Sequence, residues 1–325
     1  MIHLHNGDST VLTARRAGIP GRHVAFRETL VTGPVRAALD EVQWIEDRAR
    51  FLAEQYGENL LRTRTDLLEQ ERMLDDALHE DETVLWFEYD LFCLINFLYL
   101  LNREAKARRL TIVWSPEPLG AMDEAELVHQ FQSRAAPLPS MMRSAAAAWE
   151  AYTADDPTAL NRWLAEPSDD FPFLRDGLRL HASRFPSMRD GLGEVERRAM
   201  TGIAAGAADF GSLFARFDDA PPRFGFGDTE FRRHLRLLAT CAIPMITMAE
   251  KEILALTPAG QNVLDGKIDF IDLNNAAFWL GGAFLTRPRH WRWDGVRSVI
   301  CDFLRPVDHP DEPNLPPGEN HRSQT

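Results

Sequence analysis

The chain has 325 residues, 45% of them hydrophobic, which suits two or three domains with sizeable cores. Its 36 Lys and Arg against 49 Asp and Glu give a formal charge of -13, and that balance excludes broad sequence-independent nucleic-acid binding, which needs basic surface to displace counterions. The scattered cysteines Cys93, Cys241 and Cys301 exclude a disulfide framework and a CxxC metal site.

Met1 to His5 runs as an apolar alternation straight into Asn6-Gly7-Asp8-Ser9, which reads as a first strand delivering small polar groups onto a helix N-terminus. His3, His5, Asn6 and Asp8 also interrupt any signal-like apolar run. Thr10 to Ala17 follows as a short helix capped by Asp8 or Ser9 and closed by Gly18 and Pro20-Gly21. Arg22 to Phe26 reads as a second strand, and Arg27 to Pro34 as an irregular connection. From Ala38 to His79 two charged helices meet near Gly57, with Val42, Ile45, Ala49 and Leu52 on one apolar face. Thr83 to Phe87 is continuously apolar, as a central strand covered on both faces must be, and runs into Glu88-Tyr89-Asp90 and a helix from Leu91 to Arg103. The apolar run Leu91 to Leu101 is about half the length that crosses a bilayer, so a soluble, cytoplasmic protein with no membrane partner is expected. Arg109 to Trp114 repeats the strand pattern, and a helix lies around Glu124 to Gln132.

The expected fold class is therefore α/β: a Rossmann-like, mostly parallel sheet over residues 1–135, a helical connector over 136–190, a C-terminal module over 191–300, and a disordered tail over 301–325. In the C-terminal module, helices at Glu194, Phe210 and Asp228 precede Pro244 to Met248 and Ile253 to Gly260, the order of three helices and a hairpin. With Leu256-Thr257-Pro258-Ala259-Gly260 this resembles a winged helix over about residues 192 to 266. Asp269 to Leu273 is expected as a strand, and Phe278, Trp279, Trp291 and Trp293 as an aromatic close that packs the last module onto the sheet domain.

The chain resembles a bacterial family catalogued as domain of unknown function 1835, joined to a companion C-terminal domain also of unknown function. The likeness rests on His5-Asn6-Gly7-Asp8-Ser9, Gly33-Pro34, Trp86 to Leu91, Phe185-Pro186-Ser187 with Gly191-Leu192, Leu256 to Gly260, Trp279 to Gly282 and Trp291 to Asp294. It implies architecture and carries no reaction. Similar proteins tend to place a histidine where this chain has Tyr89, which removes an imidazole from any ligand set there.

Ligands of open parallel sheets bind outside the carboxyl ends of the strands. The polar residues expected there are Asn6, Gly7, Asp8 and Ser9, then Arg27 and Glu28, then Glu88 and Asp90. Asp8, Glu88 and Asp90 carry oxygen ligands for Mg²⁺, or acid/base groups, for phosphoryl or phosphoester chemistry. Gly7, Ser9 and Arg27 suit a phosphate at a helix N-terminus, so the leading expectation is a phosphorylated small molecule or nucleotide. Gly7-Asp8-Ser9 also resembles the nucleophile block of SGNH ester hydrolases, although the only Asp-x-x-His spacing, Asp76 to His79, precedes the third strand. Taken singly, each residue is explained by helix capping or by a pair between Glu88 and Arg27. As a set they point to a site, because capping does not call for Glu88 at the end of a buried strand.

A non-enzymatic sensor or scaffold is the alternative, with the winged helix meeting DNA or protein. Arg232, Arg233 and Arg236 with His234 lie on its third helix, but Asp228, Glu230, Glu250 and Glu252 surround them and favour homodimerisation or domain packing over DNA.

Overall fold

A computed structural model describes residues 1–36, 40–167, 169–219, 221, 223–249, 254–286 and 289–304. Strands β1 (Ile2–His5), β2 (Arg22–Ala25), β3 (Thr83–Glu88) and β4 (Leu110–Ser115) form one parallel sheet in the order β2-β1-β3-β4. Both faces are covered, which is why the central strand β3 reads as a continuous apolar run. On one face, α1 (Asp8–Arg16), a 3-10 turn at Leu119–Ala121 and α5 (Glu124–Gln132) bury Ala14, Val84, Trp86, Val113 and Leu127. On the other, α4 (Leu91–Arg103) lies against Ile2, Leu4, Leu85 and Phe87, and α6 (Pro139–Thr153) and α8 (Leu174–Ala182) pack in turn on α4. The segment expected as a helical connector thus supplies a further layer over the sheet, with α7 (Thr158–Ala165) between those two helices.

The helical hairpin α2 (Glu41–Tyr56) and α3 (Leu60–Ala77) turns at Gly57, which takes the left-handed conformation (φ 72) that ends helices. The C-terminal part runs α9 (Glu194–Ala204), α10 (Phe210–Phe217), α11 (Asp228–Thr240), an antiparallel hairpin β5 (Ile246–Met248) with β6 (Leu254–Leu256), and α12 (Pro258–Leu264). The Leu-Thr-x-x-Gly turn has a local cause. Thr257 caps α12 by accepting from Gly260 N at 2.9 Å, and a Cβ on Gly260 would meet Met245 O at 2.0 Å.

Asp269 to Leu273 is not a strand. Its side chain accepts from Ile271 N and Asp272 N, starting the short helix α13 (Phe270–Asn274), because a carboxylate that bonds its own backbone competes with a strand ladder. Hairpins β7 (Phe278–Leu280) with β8 (Ala283–Leu285) and β9 (Arg289–Asp294) with β10 (Val299–Leu304) follow. The Gly281-Gly282 turn lets backbone approach backbone: a Cβ on Gly282 would lie 1.9 Å from Thr153 O, and Gly282 N donates to Tyr152 O at 3.0 Å. The glycine pair therefore seals the hairpin onto α6. Strand β10 continues where the tail was expected to begin, and residues 305–325, like Glu250 and Glu252, lie outside the described residues.

The connection after β2 has no ladder and is nevertheless buried, so side chains must satisfy it. Arg48 of α2, fully buried, donates Nη2 to Glu28 Oε1 at 2.5 Å and Nη1 to Thr32 O at 2.7 Å. Asn96 of α4 donates to Glu28 O at 2.9 Å, Tyr152 of α6 to Leu30 O at 2.8 Å, and Arg184, just past α8, to Val31 O at 2.6 Å. Thr32 in turn donates to Glu230 of α11 at 2.7 Å. Arg48→Ala should therefore cost about 3 to 5 kcal/mol by leaving Glu28 buried and unpaired, read as a shift in urea denaturation. A loss below about 1 kcal/mol, the range of an exposed pair, would show that the pair does not hold the loop.

Candidate functional site

Beyond β1 the chain turns to β2, and beyond β3 it turns to β4, so the loops diverge between β1 and β3. Ligand crevices form at this kind of switch point. Two cavities open there. A cleft of about 1090 Å³ lies along β2, walled by one face of α1 (Asp8, Val11, Leu12, Arg15) and by Leu67, Gln70 and Met73 of α3. A smaller cavity of about 380 Å³ holds Glu88, Tyr89, Asp90, Cys93 and Arg223. Asn6 and Phe92 line both. The residues expected to form one site thus line two adjoining cavities, with Asn6 in the shared wall and Ser9 in the lining of neither.

In the smaller cavity, helix α4 presents a filled N-terminus. Asp90 caps it by accepting from Cys93 N at 2.7 Å, while Leu91 N and Phe92 N donate to Arg223 O and Phe224 O, each at 3.0 Å. Gly225 (φ 68) lets the 223–225 loop come this close, since a Cβ there would lie 2.1 Å from Asp90 Oδ1. No amide of that first turn is left for an anion. Burial, together with the neighbouring Glu88 charge, pushes Asp90 up to about 7. Glu88 is also raised by burial, opposed by amide donors from Leu119 and Gly120 and by Arg223. The pairing of Glu88 with Arg27 does not form, because Glu88 turns to the 3-10 turn instead. Cys93 is a thiol rather than a thiolate, pushed well up by burial and by the charges of Asp90 and Glu88, and it accepts a hydrogen bond from Asn6.

Helix α1 presents the opposite case. Its capping position is Gly7, at φ 138, and not Asp8 or Ser9, so no side chain caps it. Asp8 in the first turn bonds Arg27 instead (Nη2 to Oδ1 2.5 Å, Nε to Oδ2 3.0 Å), an exposed pair that holds the Asp8 carboxyl below its usual range. Ser9 is exposed beside Gly120, where a Cβ would sit 2.9 Å from its Oγ. Glu28 faces Arg48 and serves the buried loop.

Glu88, Asp90 and Cys93 form one group whose ligand atoms lie within 4.8 Å of each other; His3, His5 and His23 form another. In the first, two hard carboxylates suit Mg²⁺ and the protonated thiol does not, so a cation would be held by Glu88 and Asp90 with water or ligand oxygens. Asp8 would join only if its pair with Arg27 opened. The histidines are a different matter. Trp86 Nε1 donates to His3 Nδ1 at 3.1 Å, so His3 donates Nε2–H to Pro20 O at 2.9 Å. His23 donates Nε2–H to Ile19 O at 2.9 Å and accepts from His5 at 3.0 Å. The rings of His3 and His23 stack (centroids 4.2 Å apart, 13°), and their Nδ1 lone pairs are already taken by Trp86 and His5, so neither is turned to an ion. Burial lowers all three, His3 to about 4, and the cluster is a neutral packed ladder.

Asp76 and His79 precede β3, at the amino ends of the strands, whereas Ser9 follows the carboxyl end of β1, so an SGNH-type set is not assembled. On α11, Arg233 is held by Glu230 (2.8 Å) and His234 by Glu196 (2.6 Å); Arg232 stacks over Phe210 (3.5 Å), and Arg236 is exposed. Sequence reasoning missed Arg48 and Asn96, and named Glu230 only as an acid beside the α11 arginines, not as the partner of Thr32 and Tyr56. Arg48 shares its helix face with Ile45 and Leu52, and Asn96 interrupts a wholly apolar run, so both had a signal: a polar group on a face that must be buried. No helix among the described residues is long and apolar enough to cross a membrane. In comparisons with known proteins, the chain matches no family model and no curated relative.

Asp90→Asn keeps a capping side chain and removes the ionisation. Because the folded carboxyl lies above its unfolded value of 3.8, the stability it contributes is full at low pH and lost as pH rises through about 7. The variant should therefore gain on the wild type in denaturation midpoint at about pH 8, and the gain should shrink toward about pH 5. A difference that is flat with pH would contradict this environment for Asp90.

Proposed function

We propose that the α/β domain binds a phosphorylated small molecule or nucleotide in the cleft beside β2, with the phosphate on the first turn of α1 and Arg27 beside it, while the Ser9 side chain lies outside that cleft. The observation that carries this reading is the contrast between two helix N-termini at one switch point. That of α4 is filled by Asp90 and the 223–224 backbone, whereas that of α1 follows Gly7 without a side-chain cap and borders a cleft of ligand size. Across the wall formed by Asn6, Glu88 and Asp90 would hold Mg²⁺ against the ligand or carry a proton at Asp90, and with either role the site would act on the phosphate. When bound, Mg²⁺ would supply charge neutralisation of the phosphate oxygens. The chain's own part is to orient the phosphate by the α1 amides, to balance it with Arg27, and to keep the acidic pair in a half-enclosed cavity. We assign the chain to the family of domain of unknown function 1835 as part of this proposal, on the residues quoted above.

A second reading is a sensor. The first turn of α11 (Gly227, Thr229, Glu230) lines the same cleft, so a bound ligand would touch both the sheet domain and the α9–α12 module. That module, read as winged-helix-like, would then serve protein contact or homodimerisation. The occupation of Arg233 by Glu230 supports this over DNA contact.

Thermal-shift screening of phosphorylated metabolites with and without Mg²⁺ tests both readings. Arg27→Ala should weaken a binding phosphoester roughly tenfold, the worth of one charge-assisted contact. Loss of turnover in Glu88→Gln supports chemistry, and binding without turnover supports the sensor. Phosphoester binding that ignores Arg27 would contradict the placement of the phosphate.

A further inference from the structure

The cleft runs along the free edge of the sheet, and that edge is prepared unevenly. Arg22 N bonds Met1 O at 3.1 Å and Phe26 N bonds His5 O at 2.8 Å, so in this parallel pair Arg22, Val24 and Phe26 turn their backbone groups to β1, and His23 and Ala25 turn theirs to the cleft. Side chains close the edge on both sides of Ala25. Arg15 Nη2 donates to His23 O at 2.6 Å, and Gln70 Oε1 accepts from Arg27 N at 2.7 Å. Among the described residues, no protein group bonds the outward N–H and C=O of Ala25, which form one donor beside one acceptor in the cleft wall. Apolar side chains line the same cleft: Val11 and Leu12 from α1, Leu67 and Met73 from α3. Leu12 is 56% exposed, an apolar surface at the cleft that a flat ring would cover.

We infer that the cleft reads a purine base through the Ala25 backbone and that its ligand is an adenine nucleotide. The inference rests on the phosphate reading above and names the other end of that ligand. Adenine presents one ring acceptor, N1, beside one donor amine, which match the Ala25 N–H and C=O. Guanine can set O6 and N1–H against the same pair, but its one amine then extends past the Ala25 carbonyl toward Arg27 N–H, another donor, already bonded to Gln70; cytosine can set N3 and its amine there, but its O2 then faces the His23 carbonyl, an acceptor already bonded to Arg15. The apolar walls then sandwich the ring, which lies at the C-terminal end of β2, opposite His5 and close to the α1 turn.

The test is calorimetric titration of the full chain, with Mg²⁺ present and absent, using AMP, GMP, CMP, ribose 5-phosphate, 1-deaza-AMP and 7-deaza-AMP. AMP should bind at least roughly tenfold tighter than ribose 5-phosphate, GMP or CMP, and 1-deaza-AMP should lose roughly tenfold because it leaves the Ala25 donor unpaired, while 7-deaza-AMP binds as AMP does. Leu12→Ser, a neutral change at an exposed position, should weaken AMP and leave ribose 5-phosphate unchanged. Equal binding of AMP, GMP and ribose 5-phosphate would overturn the base reading and leave the phosphate reading standing. Failure of every compound, ribose 5-phosphate included, would overturn both.

Discussion

A loop can lie inside a protein only if something other than a ladder bonds its peptide groups, and the connection from Glu28 to Val35 meets that condition through side chains from α2, α4 and α6 and from Arg184 past α8. Arg48 is the centre of this arrangement, since it neutralises Glu28 and bonds three carbonyls of the loop while fully buried itself. The loop ties the sheet domain to the covering helices and, through Thr32 and Glu230, to the C-terminal helices. It also fixes the chain immediately after Arg27, so the cation at the cleft is anchored by a buried network although it is itself exposed.

The same accounting applied to helix ends distinguishes the two halves of the switch point. The first turn of α4 has donors that could have met a ligand, and Asp90 with residues 223 and 224 consumes them. The first turn of α1 follows a glycine that offers no side chain. Glu88 and Asp90 stand beside the filled terminus, and beside the open one Arg27 is paired with Asp8 of the first turn. Asn6 is held between the two cavities by Asn96 and Cys93. Burial lifts Asp90 to about 7, so its charge state is itself responsive near neutral pH.

Much of this was legible in the sequence because period and turn chemistry act locally. The four strands, the helical hairpin closing at Gly57 and the cap at Asp90 all follow from residues within a few positions of one another. The cap of α1 was misjudged because Asp8 had a better partner in Arg27, nineteen residues away. The strand expected at Asp269 became a helix start for the converse reason, a local bond that apolar patterning does not report. The division of the site into two cavities was beyond reach, since it depends on Arg223 and Gly225 closing over Asp90 from far along the chain. Arg48 and Asn96 were readable in principle as polar residues on faces that must be buried.

The most direct test is an amide NMR titration of the full chain with AMP. The account predicts shifts at Gly7, Asp8, Ser9 and Thr10, with Leu91, Phe92 and Cys93 unmoved. Shifts at the α4 amides with none at α1 would contradict it.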